Sequence, residues 1–312
     1  MSFNLQLRDI FFNYVFKIMK TNKDIVVLTN DMGAPSLDQI RNKFKSRLIN
    51  MGITEQNIVS TAAGLARSGK KVIIYSISTF ISLRSFEQIK LNLGVMKIPV
   101  VIVTVGSGYS YDIDGPTHHA IDDISVMNTI PNMNIISPCD PIHFKSILRN
   151  IFHENIPTYI RLDRLRFNTL KTSNNNYKEG FRKISTGKDL LIISTSNMVH
   201  RSKTLAETLK KKIKKNIQVI DFFRLKQFNS QSLKKELNKF KKICIIEEHS
   251  IHGGINSILL PLLTNKKDKV SVLSCGIDDQ NLYVYGSRKY IHKHNFLDLK
   301  SLEKKIIKFL KK

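Results

Sequence analysis

Cysteine and long apolar runs are scarce in this chain of 312 residues. The spacing of Cys139, Cys244 and Cys275 does not suggest a zinc site, so we expect three buried, reduced thiols. No apolar run reaches the roughly 18 residues of a membrane span, and residues 1–9 lack the basic-then-apolar layout of a secretory signal. We therefore expect a cytoplasmic protein with no membrane partner.

Acidic residues are also few: 25 Asp and Glu stand against 50 Lys and Arg, which gives a formal charge of +25. A balance this basic is typical of nucleic-acid-binding proteins. Most of the excess is lysine in spaced helical runs, however, and the chain shows neither a zinc finger nor the aromatic and basic interleaving of an RNA-recognition module. We expect no specific nucleic-acid partner, and instead favourable steering of phosphorylated, anionic substrates.

A chain of this length usually forms about two domains. Strand and helix patterns alternate, which predicts an α/β fold of two three-layer domains, each a parallel sheet with helices on both faces. The first domain spans residues 1–170, a polar linker covers 171–180, and the second domain spans 181–312. The predicted strands cover residues 25–29, 72–75, 99–105, 134–136, 158–160, 190–194, 217–220, 242–247 and 270–274. The predicted helices include residues 57–67, 141–149 and 302–310, and a basic amphipathic helix that follows the strand 190–194 and runs through Lys210.

The most informative stretch is residues 114–119, which read Asp-Gly-Pro-Thr-His-His. It follows the apolar strand 99–105 through a loop that contains Gly106 and Gly108. Paired imidazoles beside a carboxylate, on a loop at the end of a strand, suit proton handling on a bound substrate. Upstream, residues 52–57 place Glu55 at the start of an apolar helix, where it either does chemistry or merely favours the positive helix end.

Taken together, these two segments resemble the pyrimidine-binding half of transketolase, a thiamine diphosphate enzyme. The resemblance continues through residues 131–133 and 137–141, and the two-unit layout matches the last two transketolase domains. It implies that Glu55 bonds the aminopyrimidine ring nitrogen and activates the cofactor. It also implies that Phe80 packs against that ring, with Ile53 beside Glu55 and with Phe86 as a further candidate contact.

The same resemblance assigns the substrate contacts. His118 is expected to polarise the substrate carbonyl, with His119 beside it, and Asp114 to contact a substrate hydroxyl. An arginine at the end of the strand near residue 160 is expected to grip the substrate phosphate. Arg164 matches that position more closely, and Arg161 is the alternative.

One departure and one absence qualify the resemblance. Gly106 stands where single-chain transketolases carry a histidine, and Tyr109 and Tyr111 look more like the split, bacterial members. The Gly-Asp-Gly and asparagine motif that binds the metal ion and the cofactor diphosphate is missing; residues 252–254, His-Gly-Gly, contain no carboxylate. The chain itself is therefore expected to hold no metal. Mg²⁺ and the diphosphate are expected to be held mainly by a partner, an N-terminal transketolase-like subunit, in an α2β2 assembly.

The resemblance thus implies the C-terminal subunit of a two-chain enzyme that transfers a two-carbon ketol unit from a ketose, or ketose phosphate, to an aldehyde. Two other thiamine enzymes stay open: a split 1-deoxy-D-xylulose-5-phosphate synthase and the beta subunit of a 2-oxo-acid dehydrogenase. A non-catalytic homologue, or a basic nucleic-acid-binding protein that reuses the fold, is the alternative from another class.

Overall fold

The computed structural model describes residues 6–170, 172, 176–264, 270–279 and 284–312. Most of the segment 171–176, the core of the predicted linker, lies outside the described residues. The strands are β1 (Ile25–Thr29), β2 (Leu48–Asn50), β3 (Lys71–Ile77), β4 (Val101–Val105), β5 (Asn134–Ile136), β6 (Thr158–Leu162), β7 (Phe181–Ser185), β8 (Leu190–Ser194), β9 (Ile217–Phe222), β10 (Arg224–Lys226), β11 (Lys242–Ser250) and β12 (Ser271–Ile277).

The helices alternate with these strands. They are α1 (Leu7–Met19), α2 (Pro35–Lys43), α3 (Glu55–Arg67), α4 (Ser78–Arg84), α5 (Phe86–Gln88), α6 (Asp123–Thr129), α7 (Pro141–His153), α8 (Met198–Ile213), α9 (Ser230–Leu237), α10 (Ile255–Thr264), α11 (Arg288–His294) and α12 (Leu299–Lys311). Short 3₁₀ turns cover Lys45–Arg47, Asp112–Asp114, Pro116–His118 and Tyr177–Glu179, and a π-helix covers Ile89–Val95.

The strands form two sheets, as the sequence predicts. The first has the order β10-β5-β6-β4-β3-β1-β2 and the second the order β12-β11-β8-β9-β7. Successive side chains in a strand point to opposite faces. In the first sheet, Val27 belongs to an apolar core cluster with residues of α1, α2 and α7, whereas Leu28 belongs to another with residues of α3 and α6. In the second sheet, Leu191 belongs to the cluster that contains residues of α9 and α10, and Ile192 to one with residues of α8 and α12. Each sheet is therefore covered on both faces, and the prediction of two three-layer α/β units is confirmed.

Two edge strands differ from the purely parallel prediction. β7 pairs antiparallel with β9, and β10 pairs antiparallel with β5. An edge strand has a single neighbour and needs no crossover helix, so an antiparallel strand is accommodated there. β10 also crosses from the second half of the chain into the first sheet, where Arg224 Nε donates to Asn134 Oδ1 at 3.0 Å. The two halves of the sequence therefore share a sheet.

Local signals explain where the elements begin and end. Helix α7 begins at Pro141, and the side chain of Asp140 caps it by accepting from the backbone N–H of His143 at 2.9 Å. Helix α3 begins at Glu55, two residues before the predicted start, and ends where Gly69 takes a φ of +86°. All three cysteines are free and buried, as expected. Among the described helices, none combines the length and the apolar character needed to cross a bilayer.

Candidate active site

Glu55 and the aromatic Phe80 are joined by an arginine. Glu55 is the first residue of α3 and is 6 % exposed. Arg84, the last residue of α4, donates from Nη1 to Glu55 Oε1 at 2.9 Å. Its guanidinium lies 4.1 Å from the centroid of the Phe80 ring. A buried carboxylate, a half-exposed cation and an aromatic face thus meet at the carboxyl-terminal edge of the first sheet, where parallel sheets bind ligands.

The turn before α3 sets the direction of Glu55. Gly52 has a φ of +70°, which a residue with a Cβ rarely adopts. The side chain of Asn30, directly after β1, donates to the carbonyl oxygen of Gly52 at 3.0 Å. Ile53, which follows this turn, is 73 % exposed, whereas Ile58 inside α3 is fully buried. Ile53 therefore does not shield Glu55 from water within this chain, and Ile58 supplies the apolar contact beneath the helix.

Phe86, the other aromatic candidate, is half-buried and packs against the apolar core beneath α3. In contrast to Phe80, it is packed into the core and has no recorded contact with Arg84 among the described residues.

His118 contacts the same aromatic ring, that of Phe80. Its ring meets Phe80 edge-on with the centroids 4.9 Å apart, and the ring of Tyr111 is 5.6 Å away. Thr117 Oγ1 is 3.0 Å from His118 Nδ1. Within the described part of the chain, Nε2 of His118 has no hydrogen-bond partner. A half-buried imidazole with one nitrogen held and the other free can donate to or accept from a bound molecule.

His119 is a buried residue that holds the loop after β4 through contacts with Asp112 and Tyr109. It is 3 % exposed, its Nε2 lies 3.2 Å from the carbonyl oxygen of Asp112, and its ring meets Tyr109 edge-on at 4.8 Å. Burial lowers the pKa of His119, so the ring stays neutral near pH 7. Asp114, by contrast, is exposed at the end of the turn Asp112–Asp114.

The two candidate arginines differ in burial and in the residues that they contact. Arg164, just beyond β6, is exposed and lies with its guanidinium 4.3 Å from the centroid of Tyr111, the ring that also approaches His118. Arg161 is 2 % exposed and forms a two-pronged ion pair with Asp123, from Nε at 2.8 Å and from Nη2 at 3.0 Å. Burial alone would lower the pKa of Arg161, but Asp123 outweighs it and the pKa is raised. Arg161 is thus fixed inside the fold, away from the loop surface.

The structure therefore brings Glu55, Phe80, His118 and Arg164 into one chain of contacts. Arg84 and Tyr111 connect them, and the sequence assigned neither residue that part. Arg84 follows Phe80 by four residues, a spacing that places both on one face of a helix and could have signalled their contact. The approach of Tyr111 to Arg164 joins loops that follow different strands, and no local spacing predicts it.

The residues fit one half of a thiamine diphosphate site. An aminopyrimidine is a flat ring with N–H donors, so it needs an acceptor beside an aromatic face. Arg84 already makes contacts of this kind within the chain, because its planar guanidinium donates to Glu55 and lies over the ring of Phe80. The other half of the cofactor needs a metal ion. The described residues contain no group of three or more His, Cys, Asp or Glu that could hold one.

Both halves of the chain match known protein families. Residues 4–169 match the family described as "Transketolase, pyrimidine binding domain", and residues 180–301 match "Transketolase, C-terminal domain". One subunit of the apulose-4-phosphate transketolase of Phocaeicola vulgatus is 31% identical over 98% of this chain and 97% of its own length. The putative transketolase C-terminal section of Methanocaldococcus jannaschii is 30% identical over 96% of this chain and 94% of its own length.

Longer relatives match over part of their length. The 1-deoxy-D-xylulose-5-phosphate synthase of Clostridium acetobutylicum is 29% identical, over 94% of this chain and 47% of the relative.

Solved structures show the same fold. A structure described as a split-gene transketolase in an inactive beta4 tetramer has a TM-score of 0.87 at 24% identity, over 98% of this chain and 99% of that one. Transketolase from Campylobacter jejuni has a TM-score of 0.84 at 18% identity, over 97% of this chain and 46% of that one. Fold, motif order and matched domains agree: this chain belongs to the transketolase family and comprises its pyrimidine-binding and C-terminal domains.

Proposed function

We propose that this chain is one subunit of a two-chain, thiamine diphosphate-dependent transketolase that transfers a two-carbon ketol unit from a ketose to an aldehyde. The observation that carries the proposal is the contact of Glu55, Phe80 and His118 at one edge of the first sheet, through Arg84 and the ring pair. Thiamine diphosphate, when bound, would supply a carbon nucleophile for the ketose carbonyl.

Glu55 would hold the ring nitrogen of the aminopyrimidine and keep a proton at that position. Its burial at the start of α3 limits competition from water for that hydrogen bond. Phe80 would stack on the aminopyrimidine ring. Ile53, whose side chain is exposed and not part of the core of this chain, would add an apolar contact to the cofactor. Phe86 would act from the core, by supporting α3 from below.

The substrate would lie against His118 and Arg164. The free Nε2 of His118 would donate to the substrate carbonyl oxygen and stabilise charge that develops there. Arg164 would hold a phosphate through its planar fork, with Tyr111 fixing the plane of the guanidinium. Asp114 would accept from a substrate hydroxyl. His119 and Arg161 would act through the scaffold, because both side chains are buried.

A partner chain would supply the rest of the site. The relatives matched over nearly their whole length are named as one transketolase subunit and as a C-terminal section. The synthase relatives carry this chain's match on about half of their length, 47%. We infer an N-terminal transketolase-like subunit that carries Mg²⁺ and the diphosphate pocket, in an α2β2 assembly. The charge of +25 on this chain would steer sugar phosphates toward the shared site.

A second candidate rests on the 29% identity to 1-deoxy-D-xylulose-5-phosphate synthase. An enzyme of that class decarboxylates pyruvate, whereas a transketolase cleaves a ketose, so the donor distinguishes the two. The chain, mixed with its N-terminal partner, thiamine diphosphate and Mg²⁺, should consume D-xylulose 5-phosphate in the presence of an aldehyde acceptor. Formation of 1-deoxy-D-xylulose 5-phosphate from pyruvate and D-glyceraldehyde 3-phosphate, instead of consumption of the ketose, would assign the second candidate. Consumption of pyruvate without that product would assign the beta subunit of a 2-oxo-acid dehydrogenase.

The matched control for this assay lies on α5. Glu55→Gln should lower turnover by about 100-fold or more, the usual contribution of a positioned acid or base. Glu87→Gln changes an exposed carboxylate on the segment that follows Arg84 and should leave turnover unchanged. Equal activity of the two variants would remove Glu55 from the mechanism.

A further inference from the structure

We propose that Arg288, in the C-terminal domain, is a positioning residue that fixes the loop bearing His118 relative to the strand end bearing Arg164. The kinetic part of this inference rests on the proposed function. It gives the C-terminal domain a part in the geometry of the site, although no residue of that domain is among the predicted site residues.

Arg288 begins α11 and contacts both segments at once. Its guanidinium donates to both carboxylate oxygens of Asp163, from Nη1 at 2.9 Å and from Nη2 at 2.6 Å. Its backbone N–H donates to Asp112 Oδ2 at 2.7 Å. One residue therefore holds the end of β6 and the loop that follows β4.

Asp163 and Asp112 both lie on segments that carry a predicted substrate contact. Asp163 is 1 % exposed, directly precedes Arg164, and accepts from the backbone N–H of Leu165 at 2.8 Å. Asp112 begins the turn that leads to His118, and its carbonyl oxygen lies 3.2 Å from His119 Nε2. A shift of either carboxylate would move Arg164 or His118.

The C-terminal domain seats the same loop at two further points. Glu248, near the end of β11, lies so close to Gly108 that a Cβ there would overlap the carboxylate oxygen Oε2 of Glu248. The ring of Tyr285 lies over Gly115, where a Cβ would be 3.1 Å away. The loop of residues 108–115 is thus in contact with the C-terminal domain at both ends and, through Asp112, in the middle.

Charge makes Arg288 the centre of this arrangement. Its Nε donates to Glu248 Oε1 at 2.8 Å, so one guanidinium lies between two buried carboxylates, those of Asp163 and Glu248. Burial alone would raise the pKa of Glu248, but Arg288 and His292 outweigh it and lower that pKa. Without Arg288, the carboxylates of Asp163 and Glu248 would repel each other in a buried space and separate the two segments. Lysine has a point charge and cannot reproduce the fork that spans both carboxylates.

The test compares Arg288→Gln and Arg288→Lys with Lys289→Gln, a change of the exposed neighbouring cation. In the full-length chain, we expect hydrogen exchange of the amides in residues 108–119 to be at least about tenfold faster in Arg288→Gln than in the wild type, and unchanged in Lys289→Gln. If Arg288→Gln does not fold, Asp112→Asn removes the oxygen that accepts from the backbone N–H of Arg288, keeps an oxygen for the backbone N–H of Ile113, and should give the same local increase. Exchange rates equal to those of the wild type in the folded variants would overturn the proposal.

The kinetic measurement uses the chain reconstituted with its partner. Arg288→Lys should raise the KM for D-xylulose 5-phosphate by about tenfold, while the Kd of thiamine diphosphate stays within about twofold. A change in cofactor affinity without a change in KM would contradict a positioning role toward the substrate. The exchange measurement does not depend on turnover, so a wild-type pair without ketose activity would overturn the proposed function alone.

Discussion

The guanidinium of Arg84 donates to the carboxylate of Glu55 at 2.9 Å and at the same time lies 4.1 Å from the ring centroid of Phe80. A single flat cation thus contacts the two surfaces that the proposed cofactor ring would need. Arg84 is about half exposed, whereas Glu55 is buried, so the arginine has room to turn toward solvent and Glu55 does not.

The first prediction concerns the coupling of these two residues. In a double-mutant cycle of Glu55→Gln and Arg84→Ala, we expect a coupling free energy of about 1 kcal/mol in the unfolding of the full-length chain. The value lies between those of exposed and buried ion pairs because only one partner is buried. Urea denaturation of the four proteins measures it. Additive effects of the two substitutions would show that the ion pair contributes nothing to stability.

The second prediction separates Arg161 from Arg164. Arg161→Ala leaves Asp123 buried without its partner and should cost about 3–5 kcal/mol of unfolding free energy. Arg164→Ala removes an exposed cation stacked on Tyr111 and should cost about 0.5–1 kcal/mol.

Kinetics should show the reverse order for these arginines. Arg164→Ala should raise the KM of a phosphorylated substrate by about 10-fold or more, because one charge-assisted hydrogen bond contributes about 1.5–3 kcal/mol. KM values of the reconstituted enzyme with phosphorylated and unphosphorylated ketoses test this expectation. If Arg164→Ala leaves the KM of both ketoses unchanged, Arg164 does not bind the phosphate.

The third prediction concerns the two adjacent histidines. His118→Asn should lower kcat by about 100-fold and leave stability nearly unchanged, because the ring is half-buried and its hydrogen bond is to the exposed neighbour Thr117. His119→Asn should lower the melting temperature, since His119 is packed against Tyr109 and bonded to Asp112. His153→Asn, an exposed position at the end of α7, is the control. A larger loss of kcat in His119→Asn than in His118→Asn would reverse the assignment.

Most strands of the two sheets could be predicted because a buried parallel strand is visible in the sequence as a short apolar run. β1, β4 and β8 are fully buried runs of apolar, mostly β-branched residues, and helix α3 ends at a glycine that takes positive φ. The antiparallel edges β7 and β10 could not be predicted in the same way. Their pairing depends on distant partners, such as the contact of Arg224 with Asn134, and not on a pattern within the strand.

The candidate site shows the same division. Glu55, Phe80 and His118 could be proposed because the motifs that carry them resemble the pyrimidine-binding half of transketolase, in the same order along the chain. The bond between Arg288 and Asp163 joins residues 125 positions apart, and its formation requires the second domain to fold against the first. The choice between Arg161 and Arg164 likewise depends on Asp123, which no spacing within β6 reveals.

The fourth prediction concerns pH. Glu247, in β11, is buried beside the start of α10, where its carboxylate accepts from the backbone N–H groups of Ile255 and Asn256. Burial raises its pKa to about 8, although those hydrogen bonds and Arg161 oppose the shift. Between the unfolded value of about 4.5 and this folded value, the native state binds a proton that the unfolded state does not. Its contribution to stability is therefore fully present below about pH 4.5 and is lost as the pH rises through about 8.

Glu247→Gln mimics the neutral carboxyl and removes this dependence. The unfolding free energy of the variant, relative to the wild type, should rise between pH 5 and pH 8 by up to about 1.4 kcal/mol per pH unit. Urea titrations of both proteins at each pH provide the measurement. The buried His249 nearby has a pKa lowered to about 4 by burial and titrates in both proteins, so the comparison cancels its effect. A difference that is independent of pH would contradict the raised pKa.

The most direct test of the proposed two-chain site is calorimetric titration of thiamine diphosphate, with Mg²⁺, into three samples: this chain alone, the N-terminal partner alone, and their equimolar mixture. We predict an affinity at least about 100-fold higher for the mixture than for either chain, with Glu55→Gln lowering the affinity of the mixture. Equally tight binding of the cofactor by this chain alone would contradict the account.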